Sequence, residues 1–389
     1  MITEKKAYIA GIYEHPTRFA PDKSVAQLHA ECAAGALQDA GLSLEDVDGY
    51  FCAGDAPGGS PISMAEYLNL KLKWVDGTEM GGCSYLVHVR HAALAIAAGK
   101  CSVALITLAG RPKSTGVATG TAPRALGPER PETPWDLPYR PTITGIYGMI
   151  TQRHMHEYGT TSEQLAAVKV AASHHAQYNE HALLRKVVTI DDVLSSPIIA
   201  SPLHRLDCCV ITDGGGAIIV TTAEIAKGLK RPRVKIMGAS ETIKTSNGGY
   251  ITPTQTGAIQ TGPAAFAEAG ITPKDIKYAS IYDNFTIMVL MQLEDLGFCK
   301  NGQAGQFVAE GNLISGVGQL PWNTDGGGLC NNHPSNRGGI TKVIEAVRQL
   351  RGEAHPKVQV KNCDFALAAG PGLVVGEGHA HATLILGRE

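Results

Sequence analysis

The sequence predicts an α/β protein built twice from one fold, and three observations carry that prediction. The first is an internal repeat: Asp39-Ala40-Gly41-Leu42-Ser43-Leu44-Glu45-Asp46 returns 229 residues later as Glu268-Ala269-Gly270-Ile271-Thr272-Pro273-Lys274-Asp275. Each copy stops an Ala-rich helix at a Gly suited to a left-handed backbone, restarts with a Ser43 or Thr272 cap, and places an acid at the third position. The second is the alternation of short apolar strands with helices, which implies mixed or parallel sheets covered on both faces. The third is a Gly-rich segment leading into a helix in each half: Gly81-Gly82-Cys83 in one, Asp325 to Gly339 in the other.

In order, Ala7 to Ile12 reads as a strand, Ser24 to Ala40 as a helix and Val47 to Cys52 as a strand. Val87 to Gly99 is too continuously apolar for a surface helix, and the buried strand Val103 to Leu108 follows it. From Gly110 to about Ile143, Pro, Gly, Thr and Arg break both periodicities, which predicts a loop excursion over one face. Helices resume at Gly148 to Tyr158 and Ser162 to Asn179, and Asp213 to Ala217 reads as a tight turn into the strand Ile218 to Val220. The second half repeats the plan: strand Val234 to Met237, a helix ending at Ala269, strand Tyr278 to Tyr282, helix Thr286 to Leu296, a turn at Asp325 to Gly328, helix Ile340 to Leu350, then strands Phe365 to Ala369 and Ala382 to Leu386. The expected halves are 1–230, with the excursion reaching over about 110–200, and 231–389. A site made by a duplicated fold is expected between its halves.

The 389 residues suffice for two such cores. A net charge of -2 without a Lys/Arg run gives nucleic acid or a membrane surface no electrostatic support. No secretory leader or bilayer-length apolar run is read, so the expected location is cytoplasmic. Nine scattered cysteines without a CxxC pair argue against a zinc ribbon or disulfide framework. His174-His175 and His379-Ala380-His381 have no third ligand at useful spacing, so no metal is expected.

Cys83 sits where a loop enters a buried helix, a position that favours thiolate, and the preceding glycines let backbone N–H groups approach a carbonyl. A buried structural cysteine is the competing reading. His333 holds the corresponding place in the second half, so the two converge as a Cys/His pair if the halves are related by a pseudo-twofold axis. Tyr282 and Asn284 follow a strand end where α/β sheets bind ligands, although the residues alone favour Asp283 and Asn284 as helix caps.

Taken together these residues resemble the thiolase superfamily, most closely its sterol-carrier/lipid-transfer thiolase-like branch. The likeness spans nearly the whole chain: the Gly41 to Asp48 stretch, Cys83 sixteen residues before Gly99, Glu157-Tyr158-Gly159-Thr160-Thr161 with Glu163-Gln164-Leu165-Ala166, and Asp213-Gly214-Gly215. It continues in Tyr282-Asp283-Asn284-Phe285, Leu293 to Cys299, and Asn332-His333-Pro334. The resemblance implies two halves with mixed five-stranded sheets in an αβαβα arrangement, a homodimeric core, coenzyme A as co-substrate, no bound cofactor, and an acyl-CoA substrate. It implies Cys83 as acylated nucleophile, His333 as its base, and Gly82, Asn284 and Gly370 on the oxyanion and substrate side.

Two departures matter. Tyr282 stands where relatives carry His or Asn, and Leu367-Ala368-Ala369-Gly370-Pro371-Gly372 lacks their second cysteine. The expected activity is thiolytic cleavage of a 3-oxoacyl-CoA through acyl-Cys83. Gly81-Gly82-Cys83-Ser84-Tyr85 resembles members that work with a zinc-ribbon/OB-fold partner, such as the benzoylsuccinyl-CoA thiolase large subunit type, which suggests an aromatic or branched substrate. The alternatives are a retro-aldolase of the steroid side-chain type, which cleaves 3-hydroxyacyl-CoA with tyrosine, and a non-catalytic acyl-CoA or lipid carrier.

Overall fold

One nine-stranded sheet runs through both halves of the computed structural model, which describes residues 7–121, 142–244, 252–334, 338–372, 374–375, 377–378 and 380–389. Its strands are β1 (Ala7–Glu14), β2 (Gly49–Phe51), β3 (Trp74–Asp76), β4 (Val103–Gly110), β5 (Gly214–Thr222), β6 (Val234–Ile243), β7 (Tyr278–Ile281), β8 (Phe365–Pro371) and β9 (Ala380–Arg388). The order is β3-β2-β4-β5-β1 in the first half and β6-β9-β8-β7 in the second. The halves join edge to edge through antiparallel β1 and β6, at Tyr8 with Lys235 and Ile9 with Val234.

The duplication repeats the topology of four strands in each half. β2 runs parallel to β4, and β4 and β5 then alternate to β1; β7 runs parallel to β8, and β8 and β9 alternate to β6. The second half departs from five strands at one place. Where β3 flanks β2, only Trp322 bridges Ala279 of β7, so the fifth strand shrinks to a single parallel bridge.

The helices complete the layers. α1 (Val25–Ala40) packs outside β1, β4 and β5, and α4 (Ala258–Ala269) packs outside β6 and β9. Between the half-sheets lie α2 (Ser84–Ala97) and α5 (Gly339–Arg351), each touching strands of both halves and one another. The excursion contributes α3 (Ile143–Tyr158), and 122–141 of the expected loop, like His379, lie outside the described residues.

The repeated sequence builds a repeated device. Gly41 and Gly270 end α1 and α4 in the left-handed region at φ 73° and 71°. Ser43 with Asp46, and Thr272 with Asp275, then form reciprocal capping boxes. Each helix also reaches its own strand at a bulge: Asp39 Oδ2 accepts from Ile12 N–H and Glu268 Oε2 from Ala239 N–H, both at 2.9 Å. Gly11 and Gly238 stand there because a Cβ would strike the Ala36 and Ala265 carbonyls.

The segment Asp213 to Ala217 is not a turn. Gly214, Gly215 and Gly216 lie inside β5, because a Cβ on Gly215 would strike the Leu108 carbonyl and one on Gly216 would meet Ile344 Cδ1 at 2.7 Å.

His91 on α2 ties the halves together, with Nδ1 2.7 Å from Asp76 of β3 and Nε2 3.0 Å from Glu241 of β6. The hydrogen bonds to Asp76 and then Glu241 raise its pKa from 6.5 to about 9.

Two measurements check these features. Gly41→Ala and Gly270→Ala meet open space, so each is expected to cost only backbone strain, about 1 kcal/mol in urea denaturation. His91 has its pKa raised on folding, so its contribution is whole below pH 6.5 and is lost as pH rises through about 9. His91→Gln is expected to flatten that alkaline decline.

Candidate active site

Tyr282 continues the line of β7, its N–H donating to Ala369 O at 2.8 Å, and its phenol enters the space between the halves. Its oxygen accepts from Gly338 N–H at 3.2 Å and lies 2.7 Å from His333 Nε2. Burial holds the phenol pKa well above 10. Burial also pushes His333 down to about 4, against the attraction of Asp283. The phenol therefore keeps its proton and donates a hydrogen bond to Nε2 of a neutral imidazole, whose single N–H is then on Nδ1. That Nδ1 is buried with no hydrogen-bond partner among the described residues.

The pair is held by a clamp that sequence reasoning missed. Asp283 Oδ1 accepts from Gly328 N–H at 2.8 Å and Lys342 Nζ at 3.0 Å, while Oδ2 accepts from Leu329 N–H at 3.0 Å. Both charged side chains are buried. Asp283 thus caps the short helix Gly327–Cys330, not the helix at Thr286 expected from its position. His333 N–H donates to Thr212 Oγ1 at 2.9 Å, and Gln292 Nε2 donates to the Tyr282 carbonyl at 2.9 Å. Lys342 gives no signal in sequence, since it lies amid the apolar residues of α5.

Three glycines make room for the phenol. A Cβ on Gly370 would lie 2.8 Å from Tyr282 Cβ, one on Gly338 3.0 Å from Cε2, and one on Gly82 3.2 Å from Cζ. Gly370 is a strand residue beside the ring, not a loop residue, and Gly82 faces the phenol directly. Gly339 closes on the Gly82 carbonyl, so the starts of α2 and α5 meet here.

Cys83 is at the entrance of α2 as expected, but its thiol is not activated. Sγ is fully buried and donates to the Met80 carbonyl at 3.4 Å. Burial pushes the thiol pKa up, and the charges of Glu241 and Glu79 add to the rise. No hydrogen bond joins it to His333 among the described residues, whose Nε2 is engaged by Tyr282. Asn284 is half-buried: its Oδ1 accepts from Phe285 N–H at 3.1 Å and its carbonyl from Cys209 N–H at 2.9 Å.

A buried site at the junction of two similar halves that together form αβαβα layers defines a thiolase-type protein, and comparison with known proteins agrees. The thiolase C-terminal domain-like family matches residues 239–388. The "Steroid side-chain-cleaving aldolase" of Thermomonospora curvata is 36% identical over 366 residues, covering 89% of this chain and 90% of that one. An "Acetyl-CoA acetyltransferase" of Methanothermobacter thermautotrophicus is 31% identical over 368 residues, 92% and 94% of the two chains. The solved "Ltp2-ChsH2(DUF35) aldolase" superimposes with a TM-score of 0.87 at 33% identity, over 98% of each chain. The chain belongs to the thiolase superfamily and, with further matches to sterol carrier protein 2, to its sterol-carrier/lipid-transfer branch.

The clamp has a measurable consequence. Lys342→Ala leaves the Asp283 charge buried and unpaired, an expected loss of about 3–5 kcal/mol in urea denaturation. The Asp283→Ala, Lys342→Ala double variant is expected to lose less than the sum of the single changes.

Proposed function

We propose that this protein cleaves a 3-hydroxyacyl-CoA by a retro-aldol reaction, with Tyr282 and His333 as its acid/base pair. The observation that carries the proposal is the 2.7 Å contact between the Tyr282 hydroxyl and a neutral His333, while burial raises the pKa of the Cys83 thiol. The resemblance to aldolases over nine-tenths of the chain supports it. Tyr282 passes its proton to His333 Nε2 as it takes the proton of the substrate 3-hydroxyl. The C2–C3 bond breaks, a ketone or aldehyde leaves, and its electron pair becomes the enolate of the remaining acyl-CoA. The proton then returns through Tyr282 to C2. With no ionised phenol in the resting site, the two proton movements are coupled, and the Gly338 N–H steadies charge on the phenol oxygen as it forms.

The substrate class we extend to the chain is a branched 3-hydroxyacyl-CoA that releases a ketone. A DUF35-type partner is extended from the two-component solved relative, and a homodimeric core from the resemblance to the thiolase family. A second reading, thiolysis through Cys83, retains one observation: Cys83 directly follows Gly82, which closes on the Tyr282 phenol. In that reading the acyl fragment resides on sulfur.

The test is turnover of 3-hydroxyacyl-CoA and 3-oxoacyl-CoA panels, with and without a co-expressed DUF35-type partner, read by released ketone and by intact mass. Tyr282→Phe is expected to lower retro-aldol turnover about 100-fold or more, and Cys83→Ala to leave it within a few-fold. An acyl adduct on Cys83, or loss of all turnover in Cys83→Ala, would transfer the assignment to thiolysis. Because His333 must be neutral, kcat/KM is expected to hold below pH 6.5 and to fall as pH drops through about 4.

A further inference from the structure

His381 on β9 is one of the histidines whose spacing resembles metal ligands, yet both its ring nitrogens are engaged by protein side chains. Nδ1 lies 2.8 Å from Thr261 Oγ1, and Nε2 lies 3.2 Å from Gln292 Oε1. Thr261 Oγ1 is also 2.8 Å from Thr383 Oγ1. Gln292, on the helix Thr286–Asp295, donates from Nε2 to the Tyr282 and Met288 carbonyls, each at 2.9 Å. All four side chains are fully buried.

One arrangement of hydrogens satisfies these contacts. Two carbonyls claim both amide hydrogens of Gln292, so its amide oxygen accepts, and the His381 Nε2 facing that oxygen carries the ring hydrogen. Burial pushes the His381 pKa down to about 3, so the ring is neutral and Nδ1 accepts from the Thr261 hydroxyl. Thr261 in turn accepts from Thr383. The hydrogen bonds thus run in one direction, from Thr383 to the Tyr282 carbonyl.

That carbonyl belongs to the peptide group joining Tyr282 to Asp283. Rotation of this group would turn the Tyr282 phenol and the Asp283 carboxylate relative to one another. The carboxylate holds the Gly328 and Leu329 amides in the segment that leads to His333, so the same rotation would disturb both members of the pair. The Tyr282 N–H is fixed on Ala369 O, which leaves the carbonyl side of the residue to Gln292.

We infer that Gln292 and His381 are positioning residues for the Tyr282–His333 pair, acting through the Tyr282–Asp283 peptide group. The inference rests on the reading of that pair as the acid/base pair given above. Gln292 orients the peptide, and His381 fixes which end of the Gln292 amide faces it. An apolar side chain at 381 would leave the amide oxygen unpaired and the amide free to turn.

The experiment uses the full chain labelled with 15N-histidine, with each ring signal assigned by its loss in the matching histidine variant. In wild type, His381 is expected to carry hydrogen on Nε2 alone from neutral pH down to about pH 5. In Gln292→Met and His381→Phe, the His333 Nε2 signal is expected to move toward its position in Tyr282→Phe, where the phenol donor is gone. His381→Gln keeps a donor for the Gln292 oxygen and is expected to hold the wild-type position. On the 3-hydroxyacyl-CoA panel, Gln292→Met is expected to lower kcat about tenfold with KM little changed, and to cost nothing further in a Tyr282→Phe background. Hydrogen on Nδ1 of wild-type His381 overturns the inference without any variant having to fold, and so does a His333 signal that stays in place in both Gln292→Met and His381→Phe. Absence of ketone release by wild type sinks the retro-aldol reading alone, because the ring signals do not depend on turnover.

Discussion

The buried pair between Asp283 and Lys342 is the constraint on which the site depends. One carboxylate accepts from two consecutive backbone amides of the loop carrying His333, pairs with a lysine on α5, and belongs to the residue after Tyr282. A strand end, a loop and a central helix are thereby fixed to one another at a single charge. Burying such a pair is costly unless every acceptor is used, and here three donors surround the carboxylate. The contact between Tyr282 and His333 is short because both residues are carried by segments that Asp283 holds.

Space is the second constraint, and glycine supplies it. Tyr282 fills a volume bounded by Gly82, Gly338 and Gly370, three positions from three separate segments. The phenol fits because none of these carries a Cβ, and the same closeness brings the Gly338 N–H to its oxygen. Cys83 meanwhile points at the Met80 carbonyl, and burial raises the pKa of the group that looks most reactive by type.

What the sequence revealed was what neighbours in sequence decide. The helix stop at Gly41 and Gly270 and the caps with Asp46 and Asp275 depend on residues at most a few positions apart, and both copies formed as read. Cys83 was placed correctly at a helix start, but that start says nothing of where Sγ points or how deeply it is buried, and burial raises the pKa that the helix start would lower. Gly214 to Gly216 looked like a turn because Gly often marks one; the close approach of β4 and α5 that demands those glycines is not local. Lys342 was silent for the same reason, since a lysine in an amphipathic helix gains meaning only from distant partners. Tyr282 was legible as a departure from the family pattern, and its partner His333 through the His-Pro motif.

The unequal ends of the sheet decide how copies of this chain could polymerise. At β7 the outer edge is already occupied: Ala279 N–H donates to Pro321 O, Asn323 N–H to Ala279 O, and the Asn323 side chain takes both polar groups of Ile281. At the other end β3 pairs only with β2 among the described residues, with Trp74 and Val75 exposed. A sheet with two open edges can grow into a fibre. This one has a single adhesive end, so any edge-to-edge association through β3 uses up both partners' free strands and terminates at two copies.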